Sequence, residues 1–337
     1  MIYITIKDIA KKLNISIATV SRAFNNKSDI KLDTKNLILK TAKEMGYRPN
    51  PIAKKLIQKR SLTIGIVVPE FLNSFFPEVI IGAQEILFEK GYQVLITQSN
   101  ENFETELKNF KTLEDSMVDG IIISQSSETK NVDYYQNLID TGFPIVFVNR
   151  VCDEITASKV LFNDYKWAFF ATEHLINQGY RNIYHLKGKE SLSLTNDRMK
   201  GFLDAHAKHK LTVNKEQIIA TGFTIEDGKR VALEIINSGK IPDAIFASND
   251  PSAIGAMQVF KKKGFSIPKD IAFVGFTESK LGTIIDPALT SVLQPAHEIG
   301  KEAARILIAQ IENPVTFKPQ VIVLNGQLNI RESSIRI

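Results

Sequence analysis

The chain has 337 residues, more than the ~250 at which single hydrophobic cores stop growing, with 44% hydrophobic and 23% charged residues, which is the profile of a globular protein of more than one domain. No apolar run approaches the ~18 residues of a membrane span and no charged-then-apolar leader opens the sequence, while the one cysteine, Cys152, excludes an internal disulfide and sits in no ligand-like cluster; an unexported protein of the reducing cytoplasm without structural metal or cofactor is expected. The net charge of +5 is unevenly spread: residues 1–60 hold 14 Lys/Arg against 4 Asp/Glu (+10), leaving 28 against 33 (−5) in the remainder, so a basic module of the kind nucleic acids attract precedes a mildly acidic body.

Thr5 opens an apolar-periodic segment, Ile6, Ile9, Ala10 and Leu13, with Asp8 three residues on as in a capping box, which predicts a helix of about two turns. Asn14 tolerates the positive φ of a tight turn, and Ser16 can cap a second helix from Ile17 to about Asn25. After a polar loop, Asp33 can cap a third helix that carries Leu37, Ile38, Thr41, Ala42 and Met45 and ends at Gly46. In the following "RPNPIAKKLIQKRS", Pro49 and Pro51 forbid helix before them, and Asn50 and Pro51 suit the N-cap and first position of a short helix after them. Two turns at most are unstable alone in water, so this linker helix would fold on binding a partner.

From Leu62 the rhythm changes. Nine Val/Ile-rich strands, "LTIGIVVP", "YQVLITQS", "DGIIISQ", "PIVFVNR", "KVLFND", "NIYHLKG", "QIIATG", "DAIFASND" and "IAFVGFTE", alternate with amphipathic helices, the pattern of parallel sheets covered on both faces. "EKGYQV", "NQGYRN" and "KKGFSI" each place glycine just past a helix, followed by an aromatic that can fold back on the last turn. The break at "NDYKWAFF", residues 163–170, divides the strands into two lobes, and two lobes imply a cleft.

A capping box, a small residue, a turn, a Ser cap and a second helix with a polar outer face suggest a helix-turn-helix, although an ordinary helical hairpin would read alike. In the DNA-binding reading, Ser16 and Thr19 touch phosphates while Ile17, Ala18 and Arg22 face the major groove. Arg22 suits the O6 and N7 of guanine, and Ile17 with Ala18 suits thymine methyls; Val20 and Ala23 anchor the helix beneath. His206 and His209 share a helix face at i, i+3, but with no third ligand a solvated face is the expected reading, and no phosphate loop, metalloprotease helix or nucleophile elbow points to an enzyme.

"TIKDIAKKLNISIATVSRAFNN", "TKNLILKTAKEMGYRPNPIAKKL" and "TIGIVVPEFLNSFFPEVIIGAQ" resemble the LacI/GalR family of bacterial transcriptional regulators, and "VDGIII", "DAIFASND" and "ALTSVLQPAHEIG" extend the likeness over essentially the whole chain. The resemblance implies a helix-turn-helix headpiece over residues 1–48, a hinge helix over 49–61 and, over 62–337, a two-lobed effector domain like the periplasmic sugar-binding proteins, of the doubly wound α/β class. The first lobe would comprise about 62–162 plus 295–320 and the second about 163–294 plus 321–337. It further implies Ile17, Ala18 and Arg22 as base readers, Ser16, Thr19, Ser21, Asn25, Thr34 and Tyr47 as phosphate contacts, and a hinge with Asn50 at its start, Ala53 allowing close approach and Leu56 wedged into a minor-groove step.

Carried to the cleft, the resemblance implies effector contacts at Asn73, Phe75, Phe76, Asn149, Arg150, Arg198, Phe223, Asn249, Asp250 and Gln294. Where many relatives place an aspartate after "GF", this chain has Thr277 and Glu278, one of which would have to serve. The function so implied is a non-enzymatic regulator, by family habit a repressor, acting as a homodimer or tetramer on a near-palindromic double-stranded operator under control of a sugar or sugar derivative. The rivals are a purine-like corepressor in the same cleft, and a small-molecule sensor that does not bind DNA.

Overall fold

The computed structural model describes residues 4–24, 30–47, 60–152 and 154–336, in two units, Met1–Ser61 and Leu62–Ile337. In the first unit, helix α1 (Ile6–Leu13) starts where the sequence places it: the Asp8 carboxylate accepts from the Thr5 backbone N–H at 2.8 Å and from its hydroxyl at 2.7 Å. Asn14 turns the chain at φ 52°, and the Ser16 hydroxyl accepts the Thr19 N–H at 3.1 Å to open α2 (Ile17–Phe24). Helix α3 (Leu32–Glu44) begins one residue before Asp33, which therefore lies in the first turn, where the helix dipole favours a carboxylate, and is not its cap. Ile9, Ala10, Val20, Ala23, Ile38 and Ala42 fill one small core; Leu37, expected among them, is 53% exposed because Ile38 takes the inward position. Asn25, Asn50, Ala53 and Leu56 lie outside the described residues.

The second unit holds two six-stranded sheets. The first lobe contributes β1 (Thr63–Val68), α4 (Phe75–Glu89), β2 (Gln93–Gln98), α5 (Phe103–Asp115), β3 (Gly120–Ile123), α6 (Asp133–Asp140), β4 (Ile145–Val148) and β5 (Ser158–Phe162). The second contributes α7 (Asp164–Asn177), β6 (Ile183–Lys187), α8 (Ser193–Lys208), β7 (Ile218–Ala220), α9 (Ile225–Ser238), β8 (Ala244–Ala247), α10 (Asp250–Lys262), β9 (Ala272–Phe276), α11 (Lys280–Ile284) and β10 (Thr290–Leu293). The chain then returns to the first lobe as α12 (Ala296–Glu312) and β11 (Val321–Leu324) and finishes with β12 (Gln327–Asn329) in the second.

The strand orders, β11-β5-β4-β3-β1-β2 and β12-β10-β9-β8-β6-β7, are the same doubly wound arrangement twice, parallel throughout except for the β10–β12 pair. Strands β1, β3, β4, β6, β8 and β9 are buried along their length, as continuous Val/Ile/Phe runs between two helical layers must be. The expected helix endings are present: Gly91, Gly179 and Gly264 have φ of 79°, 93° and 93°, and the N–H groups of Tyr92, Tyr180 and Phe265 reach back to the carbonyls of Leu87, Leu175 and Phe260 at 2.9, 3.2 and 3.1 Å.

Three strands exceed the nine expected, β10, β11 and β12, each only three or four residues long. Strand β11 also corrects the lobe boundary: Val321–Leu324 pairs with β5 in the first-lobe sheet, so the final crossing falls at Asn325 and Gly326, not at residue 321. His206, expected on a solvated face, is 1% exposed, with its Nδ1 bonded to the Phe202 carbonyl at 2.8 Å and its ring 4.4 Å from that of Phe202.

Two contacts fix the geometry of the body. Helices α4 and α12 approach so closely that a Cβ on Gly82 would stand 2.0 Å from the His297 carbonyl oxygen, and one on Gly300 would stand 1.9 Å from that of Val79. Between the lobes, the three crossings meet at Gly326, where a Cβ would lie 2.0 Å from the Leu293 carbonyl oxygen and 2.9 Å from the Phe162 ring. Among the described residues no helix is long and apolar enough to cross a membrane.

Candidate nucleic-acid interface and effector cleft

The core of the headpiece decides what α2 can show. With Val20 and Ala23 fully turned in, the opposite face presents Ile17 at 44% exposure, Ala18 and Arg22, the three residues the sequence assigns to base edges. Ser16 is exposed and bonded to Thr19 hydroxyl to hydroxyl at 2.8 Å, which orients both groups beside the start of the helix. Ser21, Thr34 and Tyr47 are half-buried, and the Tyr47 ring lies 5.0 Å from Phe24. Such a face, a short helix with apolar and guanidinium side chains held outward on a rigid base, is what major-groove reading requires.

In the body, the carboxyl ends of both sheets face one another across the lobe boundary, the place where doubly wound sheets bind ligands. A narrow cavity there is lined by nine of the expected residues, Asn73, Phe75, Phe76, Asn149, Arg150, Arg198, Phe223, Asn249 and Thr277, together with Glu70 and Leu194, which the sequence did not single out. Local chain geometry aims them: Asn149 adopts φ 59° directly after β4, and that left-handed step turns Arg150 into the cleft. Glu70 accepts from the Asn73 N–H at 2.9 Å and from its side-chain amide at 2.8 Å, fixing the loop that leads into α4, whose first residues are Phe75 and Phe76.

Each of the two arginines is held by a carboxylate. Arg198 gives Nε and Nη2 to Asp164, both at 2.7 Å, donates to the Ser248 carbonyl, and lies 3.9 Å from the centroid of Phe276. Burial pushes the Asp164 carboxyl up to about 6 against the opposing pull of Arg198. Arg150 donates Nη1 to Glu101 at 2.6 Å, and its guanidinium sits 5.5 Å from the Phe76 ring and 5.2 Å from the Phe223 ring, so that it spans the two lobes. Burial raises the pKa of Glu101, but the charge and hydrogen bond of Arg150 together with the bonds from Ser127 outweigh it and the net shift is downward. Two buried polar atoms of the lining residues have no partner, Asn149 Oδ1 and Arg150 Nε, and the hydroxyls of Thr195, Thr221 and Ser248 are buried without one elsewhere in the second lobe. Buried polar atoms in that condition are costly unless something bonds to them, and a ligand rich in hydroxyls would do so.

Three of the expected contacts stand elsewhere. Asp250 is fully buried, accepting from the Ser279 N–H at 2.6 Å and the Ser291 hydroxyl at 2.5 Å, so it ties α10 to the loop after β9. Glu278 is paired with Arg331 and Asn329. Gln294 faces a neighbouring cavity of about 360 Å³, which it shares with Thr277, Glu278 and Phe75. Asn249 does line the centre, yet it also caps α10 through the Ser252 N–H at 3.1 Å and donates to the Phe223 carbonyl at 2.7 Å. Of the groups missed, Asp164 carried one legible sign, an Asn-Asp pair directly after a strand; Glu101 carried none.

The lobes also bond directly at the rims. Lys189 and Ser191 of the second lobe donate to the hydroxyl and carbonyl of Ser127 at 2.8 and 2.6 Å, and at the other end Lys280 lies 3.4 Å from Glu78.

A helix-turn-helix unit encoded together with a two-lobed body around a polar cleft defines a transcription regulator of the kind that carries its own small-molecule domain. Residues 5–50 match the family described as bacterial regulatory proteins, lacI family, and residues 61–328 match periplasmic binding proteins and sugar binding domain of LacI family. The chain belongs to the LacI family and is a DNA-binding transcriptional repressor, not an enzyme. It is 32% identical to the ribose operon repressor of Halalkalibacterium halodurans over 91% of this chain and 90% of that one. It is likewise 32% identical to the probable HTH-type transcriptional repressor ExuR of Bacillus subtilis over 99% of both. Among solved structures, the complex of the transcriptional regulator CelR with cellobiose superposes with a TM-score of 0.75 at 26% identity, over 98% of this chain and 99% of that one. The lac repressor dimer bound to operator and the anti-inducer ONPF shares the fold, with a TM-score of 0.84 at 21% identity over 99% and 100%.

Proposed function

We propose that this repressor binds a near-palindromic operator as a homodimer and that a sugar or sugar derivative in the cleft sets its operator affinity. The observation that carries the effector reading is the convergence of Asn73, Phe76, Asn149, Arg150, Arg198 and Phe223 on one cavity whose walls hold the unpartnered Asn149 Oδ1 and Arg150 Nε. Aromatic faces for a sugar ring and a surplus of bonding groups for its hydroxyls are what carbohydrate recognition needs, and the names of the ribose operon repressor and of the CelR–cellobiose complex point the same way.

In the headpiece, Ile17, Ala18 and Arg22 read bases, while Ser16, Thr19, Ser21, Thr34 and Tyr47 contact or orient toward phosphates. Dimerisation is supported by the apolar side chains that α4 and β2 leave exposed, Ile81 at 46%, Phe88 at 53%, Leu95 at 42% and Ile96 at 40%. The effector acts through its differential affinity for two lobe arrangements, and it changes operator affinity by that difference and no more. The protein works where its operator is, in the cytoplasm.

Mapping the occupied sites across the genome and titrating the protein with sugars and nucleobases tests both halves. Discrete twofold-related sites and a sugar that shifts operator affinity are expected. Binding of a nucleobase alone would replace the sugar by a purine-like corepressor, and absence of any discrete site would remove the operator reading. A protein lacking residues 1–60 should lose operator binding while keeping effector binding.

A further inference from the structure

Beside the central cavity lies a second one of about 290 Å³, and Arg150 lines both. The side cavity differs from the centre in its chemistry, because hydroxyl, amide and guanidinium groups make up much of its wall and no aromatic ring is among its described lining residues. Helix α8, sixteen residues long, opens into it at Leu192 and Ser193 with no side-chain cap and no acidic residue in its first turn. Its first N–H groups and its dipole therefore present positive potential to the cavity.

Two buried side chains aim unpartnered donors at the same space. Gln125 is 3% exposed; its Oε1 accepts the Cys152 N–H at 2.7 Å, which leaves the amide nitrogen as the end without a partner. Arg150 is 7% exposed, and with Nη1 spent on Glu101 its Nε has no partner. Ser193 and Asn196 add a hydroxyl and an amide from the helix itself. Among the described lining residues the one carboxylate, Glu154, is exposed.

We propose that the side cavity is an anion subsite, and that the effector is an acidic sugar: its ring lies in the central cavity and its phosphate or carboxylate reaches past Arg150 to the start of α8. This rests on the reading of the cleft as the effector site. An anionic group takes charge-assisted bonds from Arg150 Nε and the Gln125 amide while neutralising the helix terminus, a combination a neutral hydroxyl uses poorly.

The test titrates the full-length protein calorimetrically with a hexose 6-phosphate, a hexonate, the neutral parent hexoses and inorganic phosphate, and compares two variants. Ser193→Asp places a carboxylate in the first turn, where it favours the helix but competes for the subsite; Gln125→Glu replaces the donor by an acceptor of the same shape. At least one acidic sugar should bind ten or more times tighter than its neutral parent, the phosphate and carboxylate arms telling which group is taken. Both variants should reduce that affinity at least tenfold and leave neutral sugars within twofold, with the melting temperature of Ser193→Asp at or above that of the parent. Equal affinity for acidic and neutral sugars, affinity for acidic sugars untouched by either variant, or no response to any acidic sugar or to phosphate overturns the proposal. Tight acidic-sugar binding that left operator affinity unchanged would instead defeat the regulatory reading and leave the subsite standing.

Discussion

Arg150 belongs to the first lobe, and its guanidinium lies 5.2 Å from the ring centroid of Phe223 in the second, while Glu101 holds it from behind at 2.6 Å. The pair is largely removed from water, at 7% and 24% exposure, so deleting one partner strands the other. Arg150→Met should lower stability by about 3 kcal/mol, and adding Glu101→Gln should recover much of that loss. Urea unfolding of both single variants and the double variant checks it; additive effects would mean that the pair is not coupled.

For the headpiece, Arg22→Ala should cost about 1 to 3 kcal/mol of operator affinity and relax preference at one base pair. Binding measured against a panel of single-base operator variants would show this as a loss confined to one position. An equal loss on every sequence would make Arg22 a phosphate contact.

Asp250 gives a pH signature. Burial pushes its carboxyl up to about 6 from an ordinary 3.8, so the folded state holds the proton more tightly than the unfolded one. Its contribution is fully present below 3.8 and is lost as pH rises through about 6. Across that window the parent protein should lose on the order of 2 to 3 kcal/mol relative to Asp250→Asn. Thermal unfolding of both proteins between pH 4 and pH 7 measures the difference, and parallel curves would refute it.

His185 has the opposite sign. Its ring packs against those of Phe202 and Phe246 at 5.2 and 4.9 Å, and burial lowers its pKa to about 4 from an ordinary 6.5. Neutral His185 therefore contributes stability that is present above 6.5 and lost as pH falls through about 4. His185→Phe keeps the stack and should flatten the acid limb of the stability curve; an unchanged limb would place the acid-sensitive group elsewhere.

Much of this was legible because the signals are local. Thr5 with Asp8, Ser16 with Thr19, and the glycine–aromatic endings at Tyr92, Tyr180 and Phe265 each need only a few consecutive residues. The cleft positions were readable through the family resemblance, which carries over because a shared topology delivers the same strand ends to one place. What escaped depends on depth and on distant partners. Asp164 and Arg198 are 34 residues apart, and nothing nearby shows that one holds the other. Asn249 and Asp250 read alike as helix-start residues, yet one reaches the cleft and the other turns under Gly275 and Gly282 to bond Ser279 and Ser291. Strand β11, with Val321 and Val323 facing outward, is a short Val/Ile run that sequence order alone assigns to neither lobe, and only its pairing with β5 places it in the first.

Gly326 has a mechanical meaning. Because it touches the Leu293 carbonyl and the Phe162 ring, the three passages between lobes are bundled like straps on a single pin. Straps fastened side by side permit swinging about one axis while resisting sliding and separation. Whatever fills the cleft is therefore registered as one number, the angle between the lobes, and a larger side chain at Gly326 would change the zero of that scale without touching the ligand.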